Sequence, residues 1–109
     1  MNYNVKSIGI FERQAKRLIR KYASLQGELL TLISELRTSP QQGTPLGNNC
    51  YKIRLAVSSK GKGKSAGARV ITNVVIIEKN VYLLTIYDKS EKADIGNREL
   101  TELLKYIPK

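Results

Sequence analysis

The stretch CYKIRLAVSSKGKGKSAGAR, residues 50–69, has the pattern of a strand, a loop and the start of a second strand. Apolar and cationic side chains alternate from Tyr51 to Val57, as in a half-buried strand. Glycines and lysines dominate Ser58–Gly67, which predicts the tip of a hairpin. Arg69 opens an apolar run that continues to Ile77. Residues 51–69 hold six cations and no acid, and such an excess on one strand–loop–strand unit is typical of a surface that binds a polyanion.

Periodic apolar residues on both sides of this hairpin predict the remaining elements. In chain order these are a strand over Asn2–Ser7, helices with apolar faces over Phe11–Tyr22 and Leu29–Leu36, a loop over Gln41–Asn49, strands over Arg69–Ile77 and Val81–Tyr87, a polar stretch over Asp88–Gly96 and a helix over Arg98–Ile107 capped by Asn97. The order β-α-α-β-β-β-α predicts one α+β domain over residues 1–109, with an antiparallel sheet and helices packed on one face.

The net charge of +10 is concentrated in two parts of the chain. Residues 1–25 carry +5 and residues 51–69 carry +6, whereas 26–50 carry −1 and 70–109 carry zero. Nucleic acid is therefore the leading partner; a basic surface that serves only solubility is the alternative. No run approaches the roughly 20 apolar residues of a membrane span, so we expect no membrane partner. The N-terminus lacks a signal-peptide core, and the single cysteine indicates the cytoplasm.

The residue types present exclude several kinds of chemistry. The chain has no histidine, so catalytic triads based on imidazole are excluded. No cluster of acids suits a hard metal ion, and the Gly-Lys-Gly-Lys-Ser string lacks the glycine spacing of a nucleotide-binding loop. We therefore expect neither a metal nor a cofactor. Alternation places Lys52 and Arg54 on one face of their strand, either as a solvated face or as a pair of cations aimed at a phosphate.

Three segments carry a family resemblance: Cys-Tyr-Lys-Ile-Arg-Leu (50–55), Gly-Lys-Ser-Ala-Gly-Ala-Arg-Val-Ile (63–71) and Tyr-Leu-Leu-Thr-Ile-Tyr-Asp-Lys-Ser-Glu (82–91). Together they resemble the RelE/HigB family of type II toxin–antitoxin toxins, within the RelE/ParE superfamily. The resemblance follows the element order of the whole chain and is strongest over residues 50–95. It implies a fold like that of microbial ribonucleases and metal-independent cutting of messenger RNA on the ribosome. It also implies a cognate antitoxin as partner.

The resemblance implies a set of catalytic residues in this sequence: Lys52, Arg54, Arg69, Tyr87 and Lys89. Some relatives place a catalytic tyrosine near the start of the last helix, where this chain has a position close to Ile95. Either Tyr87 substitutes from the strand end or the chemistry relies on cations alone. Further cations are expected to bind RNA from the hairpin and the first helix: Lys60, Lys62, Lys64, Arg13, Arg17 and Arg20.

The chemistry of RNA agrees with this assignment. The 2′-hydroxyl of RNA can attack the adjacent phosphate, so the protein needs no nucleophile and must align the attack and stabilise negative charge. Two alternatives remain open at this point. One is a ParE-like toxin that poisons gyrase without cutting RNA. The other is an RNA-binding regulatory module without catalysis.

Overall fold

The computed structural model describes residues 2–61 and 66–108. Its helices and strands, in chain order, are β1 (Asn4–Ser7), α1 (Gly9–Lys21), α2 (Leu25–Thr38), β2 (Thr44–Gly47), β3 (Cys50–Leu55), β4 (Ala68–Val75), β5 (Asn80–Asp88) and α3 (Asn97–Leu104), with a 3₁₀ turn at Ser58–Lys60. The predicted α+β class is confirmed.

The five strands form one sheet in the order β1-β5-β4-β3-β2. The pairs β2–β3, β3–β4 and β4–β5 are antiparallel, and the β3–β4–β5 meander is the one that the sequence predicts. Strand β1 differs, because it pairs parallel to β5, from Asn4 opposite Asn80 to Ser7 opposite Leu83. The two helices and three strands that separate β1 from β5 leave no local turn to set their relative direction.

Strand β2 corrects the prediction of a loop over the whole of Gln41–Asn49. It pairs with β3 at the edge of the sheet, where a proline such as Pro45 is tolerated because one side of the strand needs no partner. Asn48 and Asn49 connect the two strands with φ angles of 55° and 60°. Asparagine adopts this left-handed region more readily than most residues, and two such residues in a row are typical of a tight hairpin turn.

Helices α1 and α2 pack against β5 and β1, and their inward side chains join the strands in one core. Beyond the end of β1, a side chain of α1 accepts hydrogen bonds from the edge of β5 that β1 leaves unpaired. The Gln14 side-chain oxygen accepts hydrogen bonds from the Thr85 hydroxyl (2.7 Å) and the Ile86 amide (3.1 Å). Helix α3 contacts β5. Across residues 2–61 and 66–108, no helix has the length and apolar character needed to cross a membrane.

Candidate functional site

Three of the predicted site residues form a row across the middle of the sheet. Arg54 on β3 lies opposite Arg69 on β4, and Arg69 lies opposite Tyr87 on β5. Side chains directly opposite one another in antiparallel strands point to the same face, with Cβ atoms roughly 5 Å apart. Lys52, two residues before Arg54, points to that face as well. We call Lys52, Arg54, Arg69 and Tyr87 the cation row.

The residues of the cation row differ in their exposure to solvent. Arg69 is 4% exposed and Tyr87 is 6% exposed, whereas Arg54 is exposed to solvent. The Arg69 guanidinium donates through Nη1 to the carbonyl of Ala68 at 3.2 Å. A ligand would therefore reach Arg54 directly, whereas Arg69 on the neighbouring strand is almost fully covered.

An acidic residue that sequence reasoning missed contacts two members of the cation row. Oδ1 of Asp94 accepts a hydrogen bond from Nζ of Lys52 at 3.2 Å, and the Tyr87 hydroxyl lies 3.5 Å from the same oxygen. The Ile95 amide donates to it at 2.8 Å. The Ile95 amide contributes most and Lys52 next to a lowered pKa of Asp94, so its carboxylate is ionised in neutral solution.

The Tyr87 phenol has a pKa raised to about 12, first because it is buried and then because the Asp94 carboxylate is near, while Arg69 opposes the shift. Tyr87 is therefore protonated throughout the neutral range and can donate a proton or a hydrogen bond. Nζ of Lys92 lies 5.4 Å from the centre of the Tyr87 ring, within the range of a cation–π contact.

Lys89 follows β5 and stabilises the loop beyond it rather than joining the cation row directly. Its ammonium donates to the carbonyl of Ala93 at 2.5 Å, and its amide donates to the carbonyl of Gly67 at 3.0 Å. Gly67 is tightly enclosed, because a Cβ there would lie 2.2 Å from the carbonyl oxygen of Leu55. Lys89 thus helps to hold the base of the β3–β4 hairpin against β5, and its charge also lowers the pKa of Asp94.

On the opposite face of β5, Asp88 holds the hairpin to α1. Its carboxylate accepts hydrogen bonds from Nζ of Lys60 (2.5 Å), the Tyr22 hydroxyl (2.5 Å), and both the amide and the hydroxyl of Ser90 (2.9 and 2.7 Å). Lys60 also donates to the carbonyl of Ala66 at 2.8 Å. We call Asp88, Lys60, Tyr22 and Ser90 the Asp88 anchor. Lys60, which the sequence predicts to bind RNA from the hairpin, has a side chain that is 9% exposed and paired with Asp88.

The first helix carries both paired and exposed cations. Arg17 forms a salt bridge with Glu91 at 2.6 Å, and Lys21 contacts the same carboxylate at 3.1 Å. Arg13 and Arg20 lie exposed on the helix. The polar stretch after β5 therefore neutralises part of the basic surface of α1. Lys62 and Lys64, the other predicted RNA-binding cations of the hairpin, lie outside the described residues.

The chemistry of the cation row suits an anion with several oxygens. Two guanidinium groups, one ammonium group and one protonated phenol share a face, and guanidinium groups bind phosphate oxygens in pairs. Among residues 2–61 and 66–108, no three metal-ligating side chains come together. The arrangement can bind a phosphodiester, stabilise added negative charge on it and supply a proton from Tyr87.

Comparison with known proteins bears on the family and on the fold. A family model described as the RelE toxin of the RelE/RelB toxin–antitoxin system matches residues 9–108. A solved structure of a mutant of the E. coli toxin RelE in its free state is similar over 99% of this chain and 100% of that one, with a TM-score of 0.61. The two sequences are 21% identical, so this likeness bears on the fold alone.

Proposed function

We propose that this chain, which belongs to the family of RelE toxins, is an endoribonuclease that cuts messenger RNA on the ribosome and so stops translation in the cytoplasm. Its family is the toxin half of a toxin–antitoxin system, which implies an antitoxin as partner. The observation that carries the proposal is the row of Arg54, Arg69 and Tyr87 across three adjacent strands.

The proposed reaction needs no metal and no protein nucleophile. The 2′-hydroxyl gives up its proton to solvent as its oxygen attacks the adjacent phosphorus. The bond from phosphorus to the 5′-oxygen breaks, that oxygen takes up a proton, and a 2′,3′-cyclic phosphate and a 5′-hydroxyl result. The phosphorane transition state carries more negative charge than the substrate, and Arg54 and Arg69, which lie on neighbouring strands, would stabilise it. Arg69 is buried and donates to the carbonyl of Ala68, so its guanidinium is held in place before substrate arrives.

Tyr87 suits the role of proton donor to the departing 5′-oxygen. The phenol is protonated at neutral pH, and although its raised pKa makes it a weaker acid than an ordinary tyrosine, it is still more acidic than the alcohol that forms as the 5′-oxygen departs. This tyrosine lies at the end of β5 and takes the place of the tyrosine that some relatives carry near the position of Ile95. Lys52 then contributes charge within the cation row, and Lys89 contributes through the loop that it stabilises.

Replacing Tyr87 by phenylalanine is expected to slow cleavage by about 10²-fold, within the usual contribution of a general acid. The measurement is single-turnover cleavage of a ribosome-bound message at saturating toxin. A matched substrate with sulfur in place of the bridging 5′-oxygen provides the control, because a thiolate leaves without a proton. Tyr87→Phe should cleave the sulfur substrate at nearly the wild-type rate, and an equal loss on both substrates would show that Tyr87 is not the acid.

The antitoxin is proposed to neutralise the basic surface that the fold exposes. Charge complementarity speeds association and favours the correct partner. An acidic or amphipathic antitoxin segment that covers the cation row, or the exposed α1 cations Arg13 and Arg20, would both hide the site and offset the net charge of +10.

A further inference from the structure

We propose that the Asp94 carboxylate occupies a phosphate subsite of the cation row in the free protein, and that a phosphodiester group of RNA must displace it. The inference rests on the proposed function, since it names RNA as the ligand. The subsite consists of the Lys52 ammonium and the Tyr87 hydroxyl, which approach one oxygen of Asp94 from β3 and β5.

The contacts of Asp94 are those that a phosphate oxygen would make. Its Oδ1 lies 3.2 Å from Nζ of Lys52 and 3.5 Å from the Tyr87 hydroxyl. Carboxylate and phosphate oxygens accept charge-assisted hydrogen bonds from the same donors. The acid also lies beside the row in which Arg54 and Arg69 face one another. A phosphodiester held by the two arginines would therefore compete with Asp94 for Lys52.

Asp94 is held weakly enough to be displaced. Its side chain is 62% exposed, and that of Lys52 is 22% exposed, and exposed ion pairs contribute little to stability. The residue lies between β5 and α3, in a stretch without helix or strand. Asp88 provides a contrast six positions earlier, because its side chain is 1% exposed and it accepts several short hydrogen bonds.

Asp94 could instead accept the proton of the attacking 2′-hydroxyl, but its surroundings favour the role of occupant. The donors that hold the carboxylate also lower its pKa, and a carboxylate with a lowered pKa is a weaker general base at neutral pH. The two roles predict opposite effects of the same substitution. Removing an occupant should help RNA to bind and leave cleavage intact, whereas removing a base should stop cleavage.

The test compares Asp94→Asn with Glu78→Gln, which removes the same charge from the exposed turn at the far end of the β4–β5 hairpin. The probe is a fluorescent single-stranded RNA with 2′-O-methyl groups, which cannot be cut, and binding is followed by anisotropy. Asp94→Asn should bind this RNA about two- to fivefold more tightly than wild type, the range for losing an exposed ion pair. The slope of log affinity against log salt should steepen by about 0.7, one further contact to a single strand.

Glu78→Gln should change the affinity for the probe and its salt slope less than Asp94→Asn does. Adding Lys52→Met to Asp94→Asn should abolish the gain in affinity. Unmodified message on ribosomes should be cut by Asp94→Asn at no less than the wild-type rate. The proposal is overturned if Asp94→Asn binds the probe no more tightly than Glu78→Gln, or if it binds but no longer cuts. If wild-type protein cuts no RNA while Asp94→Asn still gains affinity through Lys52, the proposed nuclease function fails and the subsite stands.

Discussion

Replacing Arg69 by alanine is expected to lower the rate of RNA cleavage by about 10²–10³-fold, the usual loss when one preorganised donor to a developing negative charge is removed. Arg69 lies between Arg54 and Tyr87 on the central strand of the row and is 4% exposed. A planar guanidinium can bind two phosphate oxygens at once, which an ammonium cannot. Arg69→Lys should therefore recover little activity although it keeps the charge.

Single-turnover cleavage on purified ribosomes measures this effect, and urea denaturation checks that the variants fold, because Arg69 is buried. Lys62→Ala provides a comparison from the same hairpin, since one lysine of the glycine–lysine stretch should contribute mainly through general attraction to RNA. If Lys62→Ala is inactive while Arg69→Ala keeps its activity, the site has been assigned to the wrong part of the hairpin.

Replacing Asp88 by asparagine is expected to lower the free energy of unfolding by about 3 kcal/mol, because it leaves the buried Lys60 ammonium without its counter-charge. The Lys60–Asp88 distance is 2.5 Å, with side chains 9% and 1% exposed. The double variant Asp88→Asn/Lys60→Met should recover part of the loss, since no unpaired charge then remains buried. Urea unfolding of the four proteins in this cycle measures the coupling, and strictly additive losses would contradict the anchor.

The pH dependence of the free energy of unfolding provides a second test of the Asp88 anchor. Burial alone would raise the pKa of Asp88, but hydrogen bonds from Lys60, Tyr22 and Ser90 outweigh it, so the folded-state pKa lies well below the ordinary value of 3.8. A lowered folded-state pKa stabilises the protein above the unfolded-state value, and this contribution is lost as the pH falls below it. The difference in unfolding free energy between wild type and Asp88→Asn should be constant from pH 7 to about pH 5 and shrink towards pH 2.

The strands and helices could be predicted from the sequence wherever a local side-chain pattern identified them. Alternation in Tyr51–Val57 and the apolar runs after Arg69 predict the β3–β4–β5 meander that the structure contains. Strand β2 gave no such pattern, because its four residues include Pro45 and Gly47 and it pairs at the sheet edge. The parallel pairing of β1 depends on how α1 and α2 carry the chain across the sheet, which no local motif records.

The site was predictable to the same extent. Alternation places Lys52 and Arg54 on one face of their strand, and Tyr87 and Asp88 on opposite faces of theirs. The family resemblance adds Arg69 to the predicted site. Asp94 had no signal, since it is one acid in a polar stretch and its contacts to Lys52 and Tyr87 span 42 and 7 positions.

The burial of Asp88 could be predicted from the sequence. Alternation along β5 places this acid on the face of Leu84 and Ile86, and an acid on an apolar face requires a buried cation. Lys60 is that cation, and its pairing with Asp88 explains why its side chain is buried rather than exposed in the loop.

The most direct test of the central claim is cell-free translation with the purified chain, followed by primer extension on the message. We predict new 5′ ends inside codons, formed when ribosomes translate the message, present without added metal beyond that of the ribosome, and lost with Arg69→Ala. Intact message together with unimpaired protein synthesis would contradict the account, and supercoiling defects in cells expressing the chain would then favour a gyrase poison.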